Sequence, residues 1–388
     1  MDDLTRGIDT LVAVAIVAAL APFVSGLLPG NRVPQVVVLI VGGVLIGPQV
    51  MGLAEPGVIE LFANVGLGFV FLLAGYELDP ALFREQYGRL ALVAWAMTAV
   101  LALAVVGLLE AVGFVRAFVP VSIALTTTAL GTLLPILRDN DMLSGTFGKY
   151  IVAAGATGEF LPIVAVAIFL GTTSKLAALL SLVMVGAVAA IFVVAPRLIR
   201  SSRARMIMLA GEHATSQTTL RWTVVLLLAL LAFAERFGLD IVLGAFVAGL
   251  VLRQWAPGDV RSLQEKLDAV GYGFFIPIFF VSSGMSLDVR SIAEAPLRLL
   301  AFFLLLLVIR GLPALLVYRH ALEQPQRTQM VFITATTLPM LVALAHIGTS
   351  NGTMLPENAA ALVGAGVLSV LVFPAVAVAI GSRSRAVA

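Results

Sequence analysis

The sequence predicts an all-α polytopic membrane protein with about thirteen transmembrane helices. Of its 388 residues, 60% are hydrophobic and only 12% are charged, whereas a soluble domain carries roughly a quarter charged residues. The apolar residues form continuous runs close to about 20 residues long, which is the length that crosses a bilayer core as a helix. A membrane barrel would alternate apolar and polar positions instead. We therefore expect the lipid bilayer to surround most of the chain.

Thirteen stretches are long and apolar enough to be predicted as spans. They are residues 9–28, 33–50, 58–77, 90–112, 114–137, 150–171, 176–196, 219–235, 239–252, 267–285, 299–318, 328–348 and 358–381. The second and ninth are short and rich in glycine. The segment before the first span, MDDLTRGIDT, is acidic, so the first apolar run is predicted to be a membrane span and not a cleaved signal peptide.

The distribution of basic residues predicts the orientation. With thirteen spans the two termini face opposite sides, and seventeen of the 24 basic residues lie on the side of the C-terminus, against six on the other side. Arg310 is the remaining one and lies inside a span. Because cytoplasmic loops carry the excess of Lys and Arg, the N-terminus is predicted to be external and the C-terminus cytoplasmic.

Several classes of function are disfavoured by the composition. The net charge is only +2 and the basic residues are scattered, so nucleic acid is not expected as a partner. The chain has no cysteine, which removes disulfides and thiolate metal sites. No Walker A loop or dinucleotide-binding glycine motif is found. We expect neither an enzyme nor a bound cofactor, and any transport would draw its energy from an ion gradient.

Short motifs recur in the two halves of the chain. The matched pairs are Val65–Phe69 with Val270–Phe274, Gly75–Asp79 with Gly284–Asp288, and the apolar strings that begin at Pro162 and Pro374. Partners lie seven spans apart, and this odd offset means that they cross the membrane in opposite directions. The sequence therefore predicts one transmembrane domain built from a first six-helix repeat (9–171), a connector helix (176–196) and an inverted second repeat (219–381). Inverted repeats are typical of secondary transporters, whose sites lie between interrupted helices near the midplane.

Two threonine clusters mark the fifth and twelfth spans as the interrupted helices. Each cluster lies beside helix-weakening glycine or proline residues, and the members are Thr126, Thr127, Thr128, Thr334, Thr336 and Thr337. Freed backbone groups and hydroxyls at such breaks can meet an ion, so these threonines are candidate ion-binding residues. The alternative is that each hydroxyl bonds back to a carbonyl of its own helix and only packs.

Two charged residues lie deep inside predicted spans, Glu159 in the sixth and Arg310 in the eleventh. A charge at that depth costs at least ~2.5–3.5 kcal/mol on insertion scales, and such residues usually mark a proton or ion path. Protons and an alkali cation could compete for the oxygens of Glu159, which would bind the transported metal ion transiently, while Arg310 would compensate charge. A buried Glu159–Arg310 ion pair that tethers two helices is the structural alternative.

Four strings resemble signatures of the monovalent cation:proton antiporter-2 family, in the same order as in that family. They are Asn31–Pro48, Leu72–Asp79, Ala234–Leu250 and Phe279–Asp288. The resemblance covers essentially the whole chain. It implies an inverted-repeat, sodium/proton-antiporter-like fold with two broken crossing helices, and a homodimer.

The predicted core departs from this family's pattern. The family typically places Asn, Asp or Gln before an aspartate in the sixth span, and this chain has Gly158-Glu159. Gly158 is kept as a candidate site residue, and the single carboxylate suggests electroneutral exchange by analogy. Arg310 matches a basic residue of the eleventh span. The cytoplasmic nucleotide-binding domain of some relatives is expected to be absent.

The predicted function is secondary antiport of a monovalent cation, Na+ or K+, against H+ by alternating access in the cell inner membrane. Two alternatives stay open at this point. One is export of a larger or organic ion on the same fold. The other is a gated cation channel or sensor without proton coupling.

Overall fold

The structure is a computed structural model that describes residues 2–27, 33–78, 80–170, 186, 217–236, 241–255, 260–294 and 296–387. Within these ranges the regular secondary structure consists of helices, and no strand occurs. The predicted all-α class is therefore confirmed.

The first half of the described chain contains seven α-helices. They are α1 (Asp2–Leu27), α2 (Gln35–Ile46), α3 (Glu60–Glu77), α4 (Gln86–Ala111), α5 (Phe118–Ala124), α6 (Leu130–Asp139) and α7 (Gly145–Phe169). Short 3-10 turns precede α3 and α4, at Pro56–Ile59 and Pro80–Arg84.

The second half adds nine α-helices among the described residues. They are α8 (Thr218–Arg236), α9 (Ile241–Trp255), α10 (Val260–Val270), α11 (Ile276–Met285), α12 (Val289–Glu294), α13 (Pro296–Val317), α14 (Gln324–Ala335), α15 (Pro339–Ser350) and α16 (Pro356–Val387). A π-helical segment, Gly271–Phe275, joins α10 to α11, and a 3-10 turn, Tyr318–His320, follows α13.

In the described part of the chain, nine helical stretches are long and apolar enough to cross a membrane, and two shorter apolar helices, Gln35–Ile46 and Ile241–Gln254, accompany them. Every predicted span that falls on described residues coincides with one of these stretches or with the pair α5 and α6. The short second and ninth spans are confirmed as short helices. The seventh predicted span, 176–196, lies outside the described residues except for residue 186.

The start of the fifth span differs from the prediction. The span was expected from residue 114, but α5 begins at Phe118. Gly113 adopts a left-handed φ of 76°, and the N–H of Phe114 donates to the carbonyl oxygen of Leu109 at 2.8 Å. This turn closes the end of α4 and delays the next helix.

The described residues form two compact units. The larger contains Met1–Val58, Asp79–Pro162 and Phe280–Ala388, and the smaller contains Ile59–Leu78 and Ile163–Phe279. In the larger unit α2 lies directly on α11. A side chain at Gly43 would collide with the carbonyl oxygen of Val281, and one at Gly284 with that of Ile40. Small residues permit this close backbone approach, as is usual between membrane helices.

The smaller unit is centred on α3 and α9, which also meet through glycines. A side chain at Gly75 would collide with the carbonyl oxygen of Phe246. The π-helical segment packs on α3 as well, because the ring of Phe275 stacks on that of Phe69 with centroids 5.0 Å apart. Arg253 donates to the carbonyl oxygen of Tyr76 at 2.9 Å, so a cation satisfies the C-terminal end of α3.

Candidate functional site

The fifth span is broken between α5 and α6, as the sequence predicted. The hydroxyl of Thr126 donates to the carbonyl oxygen of Ile123 at 2.7 Å, and that of Thr127 donates to Ala124 at 2.7 Å. These hydroxyls bind the last carbonyls of α5. Threonine side chains thereby offer the backbone an alternative to the next helical turn, and residues 127–129 have no regular secondary structure before α6 begins at Leu130.

The twelfth span is broken as well, between α14 and α15. The hydroxyl of Thr336 donates back to the carbonyl oxygen of Phe332 at 2.9 Å. Pro339 then occupies the first turn of α15, where a residue without an N–H donor is tolerated. The prediction of two interrupted helices is confirmed.

The two breaks meet in the larger unit, and we call their meeting point the crossing (residues 125–129 and 336–338). The backbone N–H of Ala129 donates to the carbonyl oxygen of Thr336 at 2.9 Å. The hydroxyls of Thr127 and Thr337 lie 2.7 Å apart, although they are separated by 210 residues in sequence. The broken helices therefore satisfy each other's freed polar groups, as a membrane interior requires.

Thr128 joins the crossing to the end of α14. Its hydroxyl donates to the carbonyl oxygen of Thr334 at 2.6 Å, while the hydroxyl of Thr334 donates back to Met330 at 2.8 Å. All six threonines of the two clusters are buried. Some of them, such as Thr126, bond to their own helix, as the structural alternative expected. Thr127 and Thr337 bond to each other across the crossing, and Thr128 bonds to Thr334 at the end of α14.

Arg310 reaches the crossing from α13. Its side chain is 3% exposed; Nε donates to the carbonyl oxygen of Thr334 at 3.2 Å, and Nη2 donates to the hydroxyl of Thr128 at 2.5 Å. Thr334 carries one of the last carbonyls of α14, where the helix dipole is negative and favours a cation. Both bonds are to neutral oxygens, so the position of Arg310 is explained without an ion pair to Glu159.

Gly158 and Glu159 lie near the middle of α7. The backbone N–H of Thr128 donates to the carbonyl oxygen of Gly158 at 2.9 Å. This bond attaches the first break to α7 at the residue directly before Glu159, whose side chain is partly buried. The structure therefore brings Gly158, Arg310 and the two threonine clusters together, and it attaches the crossing to the helix that carries Glu159.

Ser369 on α16 contacts the crossing and was not among the residues predicted from the sequence. It is fully buried, its Oγ accepts from the N–H of Thr337 at 3.1 Å, and it lies 2.8 Å from the carbonyl oxygen of the same residue. One signal could have found it: Ser369 precedes Pro374 by five residues, as Thr157 precedes Pro162. These two prolines belong to a matched pair of strings.

Asp288, the last residue of the string Gly284–Asp288, has a local structural role. The N–H of Ser291 donates to its Oδ1 at 3.1 Å and the Ser291 hydroxyl donates to its Oδ2 at 2.5 Å. These hydrogen bonds stabilise the charged form and lower the pKa of Asp288 below its ordinary value. The carboxylate caps the start of α12, and its counterpart Asp79 lies outside the described residues.

Residues 13–380 match the family model described as "Sodium/hydrogen exchanger, transmembrane". The chain belongs to the sodium/hydrogen exchanger family. The match covers nearly the whole chain, and with the relatives it confirms the resemblance to cation:proton antiporters that the four sequence strings indicated.

Three relatives illustrate this membership in the sodium/hydrogen exchanger family. YjbQ of Bacillus subtilis, whose name gives Na(+)/H(+) antiport only as a provisional activity, is 28% identical over 95% of this chain and 62% of its own length. Cation/H(+) antiporter 18 of Arabidopsis thaliana is 27% identical over 74% of this chain and 38% of its own. A Na(+)/H(+) antiporter of Enterococcus hirae is 25% identical over 69% and 70%. The chain thus spans less than two thirds of the length of the first two.

Proposed function

We propose that this chain exchanges a monovalent cation, Na+ or K+, for H+ by alternating access, with Glu159 as the shared binding group. The observation that carries the proposal is the hydrogen bond from the first break to Gly158, the residue before Glu159. It joins α7, whose mid-span carboxylate is Glu159, to the meeting point of two broken helices. Membership in the sodium/hydrogen exchanger family supports the same class of transport.

The chemistry needs one carboxylate that binds either a proton or a cation. A charged carboxylate near the middle of a membrane costs free energy when no proton or cation is bound to it. The site is therefore expected to change its access from one side of the membrane to the other with a proton or a cation bound. Each passage then carries a proton or a cation. This obligatory loading couples the two gradients without any other energy source.

The hydrogen bonds at the crossing favour Thr127 and Thr337 over Thr128 as neutral ligands of the cation. Thr128 already accepts a bond from the guanidinium of Arg310, and a cation placed there would be repelled. Thr127 has a single hydroxyl proton, which it donates to Ala124. The hydroxyl of Thr337 must then donate to Thr127, and both lone pairs of Thr337 remain able to bind a cation.

The site would exchange ions electroneutrally, because one carboxylate binds one proton or one monovalent cation. Arg310 stays charged in both loaded forms, since its bonds to Thr128 and Thr334 do not depend on the ion. The protein would work in the cell inner membrane as a homodimer, with the N-terminus external and the C-terminus cytoplasmic.

Proteoliposomes with a pH-sensitive dye inside provide the test. Addition of Na+, K+ or Li+ should change the internal pH in a cation-dependent manner, whereas choline should not. Export of a larger or organic ion would leave all three alkali cations without effect, and a channel would move cations without moving protons. Either result would overturn the proposed exchange.

A further inference from the structure

We propose that Gly158 is a positioning residue for Arg310: because it has no side chain, it leaves the space through which the guanidinium reaches Thr128 beside the exchange site. This inference deepens the proposed function and rests on it. It also explains why the residue before Glu159 is a glycine, a feature that the sequence left without an account.

The available space at Gly158 is the first argument. A Cβ at this position would lie 2.5 Å from Nη2 of Arg310, 2.6 Å from Oγ1 of Thr128 and 2.8 Å from Cβ of Thr128. Van der Waals contact between such atoms requires about 3.5–4.0 Å. Even alanine could be accommodated only if both Arg310 and Thr128 moved.

The bonds of Thr128 decide which group would move. Its N–H is held by the carbonyl oxygen of Gly158, and its hydroxyl is held by the carbonyl oxygen of Thr334. The long side chain of Arg310 is the most adaptable of the groups in the collision. A methyl group at position 158 would therefore displace the guanidinium of Arg310, which is its nearest neighbour, and Thr128 would have to shift as well.

The position of the Arg310 guanidinium beside Gly158 has a structural and an electrostatic consequence. Arg310 bonds to Thr128 at the first break and to Thr334 at the end of α14, and so it fastens the two broken helices together. It also fixes a positive charge against Gly158, the neighbour of Glu159. A cation and a proton competing for Glu159 would both experience that charge.

A double-mutant cycle between positions 158 and 310 tests the inference on the full-length, detergent-purified protein. Gly158→Ala should lower Tm, and Arg310→Lys should relieve part of that loss, because lysine has no second nitrogen in the occupied space. The loss in the double variant should be smaller than the sum of the single losses. Gly155→Ala is the control, because its methyl group would meet the uncharged side chain of Leu130. Its loss in Tm should be additive with that of Arg310→Lys.

Transport kinetics separate positioning from simple destabilisation. Destabilisation alone reduces the amount of active protein and so lowers Vmax. Displacement of the Arg310 charge next to the site in Gly158→Ala should instead change the apparent KM for the cation by about fivefold or more. Additive Tm losses at 158 and 310 together with an unchanged KM would overturn the inference. If Gly158→Ala does not fold, adding Arg310→Ala to the pair Gly158→Ala and Thr128→Gly must raise the yield of folded protein, because only then are all three atoms near the methyl group removed; no gain also overturns the inference.

The two proposals fail in different ways. The stability cycle does not require ion exchange, so coupling between 158 and 310 in a protein that moves no cations would refute only the proposed function. Additive stability and an unchanged KM in an active exchanger would refute only the positioning role of Gly158.

Discussion

Ser369 binds both backbone groups of Thr337: its Oγ lies 3.1 Å from the backbone nitrogen and 2.8 Å from the carbonyl oxygen of that residue. The hydroxyl accepts from the first group, and its single proton can be donated to the second or to the carbonyl oxygen of Gly366, which also lies 2.8 Å away. A side chain on α16 thus supplies the partners that the interrupted main chain between α14 and α15 lacks. This contact holds the second break in a fully buried place.

Ser369→Ala should lower the free energy of unfolding by about 1–3 kcal/mol, because it leaves buried backbone groups of Thr337 without a partner. Exchange should fall as well, since the break would no longer be fixed. Ser286→Ala removes an exposed serine hydroxyl that donates to the carbonyl oxygen of Ser282 in the preceding turn and should change stability by less than about 0.5 kcal/mol. Equal effects of the two substitutions in thermal unfolding would contradict the role of Ser369.

Glu159→Gln should abolish cation-dependent proton movement while the protein still reaches the membrane and elutes as the wild type does. Glutamine keeps the size of the side chain and removes the titratable group, and both hydrogen bonds of Arg310 remain available. Glu159→Asp should retain part of the activity with altered cation affinity. Flux in proteoliposomes and size-exclusion chromatography measure the two properties.

The structural alternative for Glu159 gives the opposite outcome. If Glu159 and Arg310 formed a purely structural ion pair, Glu159→Gln would lower stability by roughly 3–5 kcal/mol. Glu159→Gln combined with Arg310→Gln would then restore both folding and exchange. Active transport by that double variant would refute the shared-carboxylate mechanism.

The rate of Na+/H+ exchange should not respond to the membrane potential, because one proton replaces one monovalent cation on Glu159. Valinomycin and a K+ gradient can set the potential in proteoliposomes while internal pH is followed. A severalfold acceleration at an imposed potential would show that net charge moves. A second titrating group would then have to be identified.

The segment that contains Ser202 is predicted to face the cytoplasm, because seventeen basic residues lie on the C-terminal side of the membrane. The native chain has no cysteine, so Ser202→Cys introduces a unique thiol. A membrane-impermeant thiol reagent should label it only after the cells are opened. Labelling of intact cells would reverse the predicted orientation.

The sequence by itself determined the helices and the places where they break. Long apolar runs must form helices in lipid, and Thr126, Thr127 and Pro339 interrupt them by local chemistry, through hydroxyls that bind nearby carbonyls and a missing N–H. These effects act within a few residues, so they can be predicted without the fold. The division into repeats at 9–171 and 219–381 stays a prediction.

Only the tertiary structure decided which polar groups meet. Thr127 and Thr337 lie 210 residues apart in sequence, and Ser369 is one hydroxyl among many in apolar helices. Arg310 was predicted to compensate charge in the core, but its bonds to Thr128 and Thr334 depend on how α13 packs. The physical reason is that a buried polar atom must find a partner, and helix packing, which local sequence does not specify, determines which partner is within reach.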